Sequence, residues 1–246
     1  MSSLLYIIAV LIIVLLILFL LSSVTYCLRR AYLSLQVDME QQRKMIKWVF
    51  SGLLIWLLLT AILSAGGYFS NYRYLLPRLL LFGLFPFLVI TVFLLSSKRF
   101  TRILSRIPPS WLVRVQCFRL GTELALLLAF LGDFIPFQMT FLGFNMDVIV
   151  GITALFAGRV FFRKSRFFKP ETVIWNIFGI LLILNQFFII LVSAPTNFRI
   201  FFNEPGSEFI TGIPFIWIPT FILPFALVIH IFSIKQVFIK ELRSFE

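Results

Sequence analysis

Seven apolar runs divide this chain, and each is near or above the about 20 residues that a helix needs to cross about 30 Å of hydrocarbon. They lie at approximately 4–28, 46–68, 77–97, 111–133, 143–162, 172–193 and 209–235. Backbone groups in lipid must be satisfied within the segment, so runs of this length predict helices, and the alternation of a membrane barrel is absent. The side chains agree: 61% are hydrophobic and only 13% charged, a balance that a water-soluble domain of 246 residues could not bury. The expected fold is therefore all-α, a polytopic transmembrane bundle of seven helices forming one domain over 1–246. The first run has no basic residue before it and is too long for a signal-peptide core, so it reads as an uncleaved helix.

A net charge of +12 would suggest nucleic acid in a soluble protein, but here the cations sit in short links between apolar runs. Arg29, Arg30, Arg43, Lys44 and Lys47 follow the first run, and Lys98, Arg99, Arg102, Arg106 and Arg114 follow the third. Arg159, Arg163, Lys164, Arg166 and Lys169 follow the fifth, and Lys235, Lys240 and Arg243 close the chain. With seven alternating spans, 18 of the 22 basic residues fall on one side, with Arg73, Arg78 and Arg199 opposite and Arg119 within a span. Basic links face the cytoplasm, which places the amino terminus outside and the carboxyl terminus in the cytoplasm. The lipid bilayer is the expected solvent, and no nucleic-acid partner is expected.

The fourth run carries Arg119 and Glu123 well inside it. On an insertion scale the two charges cost about 6 kcal/mol, against about 5 kcal/mol returned by the Leu, Val and Phe residues of the run. Such a helix is marginal alone and needs its polar face turned into the bundle. Arg119 and Glu123 are four residues apart, so they can pair with each other. By depth, Asn176, His230 and Arg159 share the inner half with Arg119. A second group belongs to the outer side: Asp133, Gln138, Asn145, Asp147, Asn185, Gln186, Asn197, Arg199, Asn203 and Glu204. The links "DFIPFQMTFLGFNMD" and "APTNFRIFFNEPGSE" are apolar enough to fold back over the bundle as lids. The last run adds Pro214, Pro219 and Pro224, each of which removes a helix donor and kinks the rod. The carbonyls they free need a side chain, water or a ligand.

Several chemistries are excluded. His230 is the only histidine, and Cys27 and Cys117 lie far apart, so no metal or haem framework and no cofactor is expected. There is no H-E-x-x-H, no G-x-S-x-G elbow and no phosphate-binding G-x-x-x-x-G-K-[ST]. The last run has no mid-membrane lysine that could carry retinal, since Lys235 sits at its cytoplasmic end.

Two readings of function stay open. One is a small-molecule or ion transporter, or receptor-like binder, with a polar site between the fourth, sixth and seventh helices. Its candidate residues are Arg119, Glu123, Asp133, Asp147, Asn185, Gln186, Arg199, Glu204 and His230, with no catalytic or metal residue among them. The other is a non-catalytic partner subunit or assembly factor that docks other membrane proteins. A lipid-modifying enzyme using Asp133 and Asp147 is a weaker third option.

The stretch "PPSWLVRVQCFRLGTELALLLAFLGDFIPFQMTFLGFNMDVIVGITA", with "SAPTNFRIFFNEP" and "PFALVIHIFSIKQ", resembles an uncharacterised family of bacterial seven-helix inner-membrane proteins. The resemblance runs from Pro108 onward, the first three helices being less distinctive. It implies a bacterial inner-membrane setting and no particular activity.

Overall fold

The computed structural model describes residues 2–162 and 169–239. Among these residues every regular element is a helix, and there is no strand. Where only a 3-10 or π turn interrupts a helix, the pieces form continuous rods. These are α1 (Ser2–Ser34), α2 (Met39–Ala65), α3 (Tyr72–Ser96), α4 (Lys98–Ser105), α5 (109–131), α6 (Val148–Val160), α7 (Lys169–Ser193) and α8 (Ile218–Val237).

Each of the seven apolar runs contains a helix, but five of them are long and apolar enough to cross a membrane: α1, α2, α3, α7 and α8. These five mark a membrane protein. The other two differ for separate reasons. α5 is long enough but carries Arg114, Arg119 and Glu123. α6 has only 13 residues, a rise of about 20 Å. It starts at Val148 because the apolar residues before it belong to a folded loop. α8 likewise begins at Ile218 and not near 209, and Pro214 lies in the turn that precedes it.

α4 was hidden in a basic link. Ser97 caps it, accepting from the Phe100 amide at 3.3 Å. Ile103 and Leu104 pack on Ala31, Tyr32, Leu112 and Ile239, while Lys98, Arg99, Arg102 and Arg106 stay exposed. Asp38 caps α2 through the Glu40 and Gln41 amides, and α2 stops at Gly66, followed by Gly67 in the left-handed region at φ 72°.

α8 is the central rod, with 72% of its apolar window buried, against 17% for α2 and for α3. α7 and α5 pack on α8, α1 runs along α5, and α6 lies against α5. α3 meets α8 where both contain a π turn, Leu80–Leu84 and Ile218–Ile222. There the backbones touch: a Cβ built on Gly83 would sit 2.5 Å from the Pro219 carbonyl oxygen.

The prolines of α8 do not leave carbonyls open. Pro219 cannot donate to the Phe215 carbonyl, and the Ile218 amide does so instead at 2.9 Å. Pro224 cannot donate to the Thr220 carbonyl, and the Trp56 indole reaches across from α2 to do so at 3.1 Å. Trp217 returns the contact, donating to the Leu57 carbonyl at 3.1 Å. The two indoles clasp α2 to α8.

Residues 132–147 and 194–217 close one end of the bundle together. Gln138 bonds Ser193 and Asn203, and Phe144 stacks on Phe201 with centroids 5.6 Å apart. The exposed cations of α4 lie at the other end. Arg163, Lys164, Arg166, Lys240 and Arg243 lie outside the described residues.

Candidate functional site: a buried charge cluster

Among the described residues Arg119 is the largest side chain that the fold buries completely, at 1% exposure. A charge removed from water needs a partner and a full set of hydrogen bonds. α5 carries it on the face turned toward α6, α7 and α8. Its guanidinium meets the Asp147 carboxylate fork to fork: Nε donates to Oδ2 at 2.6 Å and Nη2 donates to Oδ1. Nη1 donates to His230 Nε2 at 3.1 Å, and Nη2 also reaches the Gly179 carbonyl at 3.3 Å.

These contacts fix the state of His230. Arginine has donors only, so the Nε2 facing it carries no hydrogen. The single ring hydrogen is then on Nδ1, which donates to Asn176 Oδ1 at 2.8 Å. That sets the Asn176 amide, whose Nδ2 donates to the Thr172 carbonyl at 2.7 Å and to Ser233 Oγ at 3.0 Å. Gly179 makes the seat: a Cβ there would lie 2.3 Å from the imidazole.

Glu123, one turn from Arg119, belongs to a neighbouring set. Asn145 Nδ2 donates to both its oxygens, at 2.8 and 3.0 Å, and to the Met139 carbonyl at 3.1 Å. Asn145 Oδ1 accepts the Asp147 amide at 3.3 Å. The Asn145–Asp147 corner of the loop therefore enters the bundle and serves both charges of α5.

This corrects the expected Arg119–Glu123 pair. A shared helix face brings two side chains near each other, but a planar guanidinium is satisfied better by a carboxylate it can meet with two parallel bonds. The sequence also groups Asp147 with Asp133 on the outer side, as the two acids that end the link "DFIPFQMTFLGFNMD". With α6 starting at Val148, Asp147 is buried beside Arg119.

The other expected residues do not meet there. Asp133 is exposed just beyond α5, at φ 60°. Arg199 and Glu204 pair in the loop, Nη2 donating to Oε1 at 2.8 Å, with Glu204 67% exposed. That hydrogen bond holds the Glu204 carboxyl below its ordinary value. Asn185 is half-buried and donates to the Phe144 carbonyl at 2.8 Å. Gln186 is buried, and neither of its amide atoms has a hydrogen-bond partner among the described residues; the buried Thr122 hydroxyl has none either. The site thus gathers Arg119, Glu123, Asp147 and His230 and leaves Asp133, Asn185, Arg199 and Glu204 elsewhere.

Gly179 and Ser233 complete the cluster and were not singled out from sequence. One signal was available: Asn176, Gly179 and Gln186 fall on one face of α7. Among the described residues no group of His, Cys, Asp and Glu is arranged to hold a metal ion.

A family model described as a domain of unknown function, DUF8737, matches residues 76–238. The chain belongs to this family. No curated protein and no solved structure matches it. The DUF8737 region holds every residue of the buried cluster and both π turns. α1, α2 and the Trp56 half of the indole clasp lie outside it.

Proposed function

We propose that the protein is a seven-span bacterial inner-membrane protein that acts as a non-catalytic partner subunit or assembly factor. The observation that carries this reading is that the buried charges find their partners within the fold. Arg119 spends four of its five donors on Asp147, His230 and Gly179, and Glu123 is held by Asn145, so both charges are held without a ligand. With Arg119 paired to Asp147 and Glu123 hydrogen-bonded by Asn145, α5 loses much of the cost that kept it from crossing, and α6 with its buried loop corner completes the seventh span. The basic ends face the cytoplasm and the amino terminus faces out.

Ser2→Cys and Ser244→Cys variants test the orientation with a membrane-impermeant thiol reagent, on a background in which Cys27 and Cys117 are Ser. Intact cells label the first and not the second. Labelling of both from one side overturns the seven-span arrangement. The docking role is tested with a photocrosslinking residue at Ile55 and at Phe85, which expose 65% and 59% of their surface on the thinly packed helices α2 and α3. Both positions capture the same membrane protein in cells. Adducts with lipid alone at both would remove the partner reading.

One observation favours the second reading, a transporter or receptor-like binder for a small molecule or ion. Among the described residues neither the buried Gln186 amide nor the buried Thr122 hydroxyl has a hydrogen-bond partner, and a buried polar group of this kind can serve a small polar ligand or cation. Gln186→Leu separates the two. In a partner subunit it removes an unsatisfied amide and raises the thermal midpoint, by about 1–3 kcal/mol of stability. In a binder it abolishes the stabilisation that amines, polyols or alkali cations give the wild type. A wild type that responds to none of these compounds rules the binder out.

A further inference from the structure

We infer that the recess between the start of α4 and the end of α8 binds the phosphate headgroup of an anionic phospholipid. The recess is open to the outside and has a volume of about 560 Å³. Lys98 and Arg102 of α4 and Lys235 of α8 line it, and Leu95, Phe238 and Ile239 supply its apolar wall. Among the described residues no acidic side chain lines it, and none of the three cations forms an ion pair.

Two helices thus bring three like charges to one concavity. Among the described residues no acid relieves their repulsion, so the arrangement calls for an anion from outside. The wall specifies the rest of the ligand. A free anion gains nothing from Leu95 and Phe238, whereas a lipid offers a phosphate to the cations and an acyl chain to the wall. The position fits as well. Ser96 ends α3 and Lys235 falls in the last turn of α8, so the recess opens at the level where two apolar rods stop. In the seven-span reading, on which this inference rests, that level is the cytoplasmic headgroup layer. Basic pockets between helices on this side of a membrane suit such headgroups, each nearby cation contributing about fivefold in affinity. Basic side chains at inner helix ends are common and most serve topology alone. Arg29, Arg43 and Lys47 are of that kind: none of them lines this recess.

The test uses the full chain in neutral detergent, titrated with dioleoylphosphatidylglycerol and followed by native mass spectrometry and thermal midpoint. The wild type gives a saturable, one-to-one complex. The variant Lys98→Gln/Arg102→Gln/Lys235→Gln weakens half-saturation by on the order of a hundredfold. Arg29→Gln/Arg43→Gln/Lys47→Gln, which removes the same charge elsewhere, leaves it unchanged. Lys235→Arg, which keeps the charge, also binds. Equal losses in the two triple variants would mean a diffuse field and overturn the inference. So would equal binding of the zwitterionic phosphatidylcholine, or an equal response to inorganic phosphate, which would make this a soluble-anion site. Carbonate washing of the same membranes keeps the two claims apart. If the wild type stays in the membrane and the lipid result fails, the recess assignment alone falls. If the wild type washes out, the seven-span reading falls and takes the recess with it.

Discussion

Asp147→Leu is expected to destabilise the protein by about 3–5 kcal/mol, because it leaves the Arg119 guanidinium buried with no counter-charge. The carboxylate supplies two of the bonds that hold this side chain, and the side chain has no route to water at 1% exposure. The double variant Arg119→Leu/Asp147→Leu removes both charges and is expected to recover most of the loss, since well-packed apolar residues often replace a buried ion pair at little cost. Its residual defect comes from His230 and the Gly179 carbonyl, which lose a donor. Glu123→Gln is expected to be mild by comparison, because the acid is held by the Asn145 amide and not by Arg119. Thermal unfolding in detergent, read by tryptophan emission, measures all three. If the single and double variants unfold alike, the charges are not a coupled pair. If Glu123→Gln is the most damaging, the partner of Arg119 has been misassigned.

Gly83→Ala is the second large effect. The added methyl would fall 2.5 Å from the Pro219 carbonyl oxygen, and since the methyl is fixed to the α3 backbone and the oxygen is itself backbone, no side chain can swing away. α3 must move off α8, at the cost typical of overpacking, about 1–3 kcal/mol. Gly52→Ala is the control. It lies inside α2 with nothing within 4 Å of the new methyl, and it should be neutral or stabilising by about 0.5–1 kcal/mol. The ratio of the two variants isolates the crossing from any general effect of alanine in a membrane helix. Equal tolerance of both would mean that α3 does not approach α8 this closely.

The helices were legible in the sequence because hydropathy over about 20 residues is a strong signal. Their ends were less so. The link after 133 is legible, but the runs that start at 143 and 209 begin too early: 143–147 belong to the loop, and 209–217 are as apolar as the span they adjoin, so hydropathy cannot see the turn around Pro214. α4 was invisible for the opposite reason: its cations dominate the composition, and only the spacing of Ile103, Leu104 and Ile107 betrays a buried face. At the site, helical periodicity correctly turned Arg119 and Glu123 inward. It could not name their partners, because Asp147 and Asn145 come from a different element and reach the cluster through a loop path that no local pattern records. Asn176 and His230 were placed at the right depth, yet the hydrogen-bond order that joins them depends on a three-dimensional contact with Arg119.

The indole clasp has a consequence for where this molecule may be cut. The DUF8737 match begins at residue 76, inside α3, so it leaves Trp56 behind while keeping Thr220. It also discards Leu16 of α1, whose side chain fills the space over Gly121 of α5. A segment trimmed to the family bounds would therefore turn a proline-interrupted carbonyl and a bared glycine notch toward lipid. The stretch of chain that evolution recognises as shared and the stretch that can stand by itself are different lengths here, and the first two helices make up the difference.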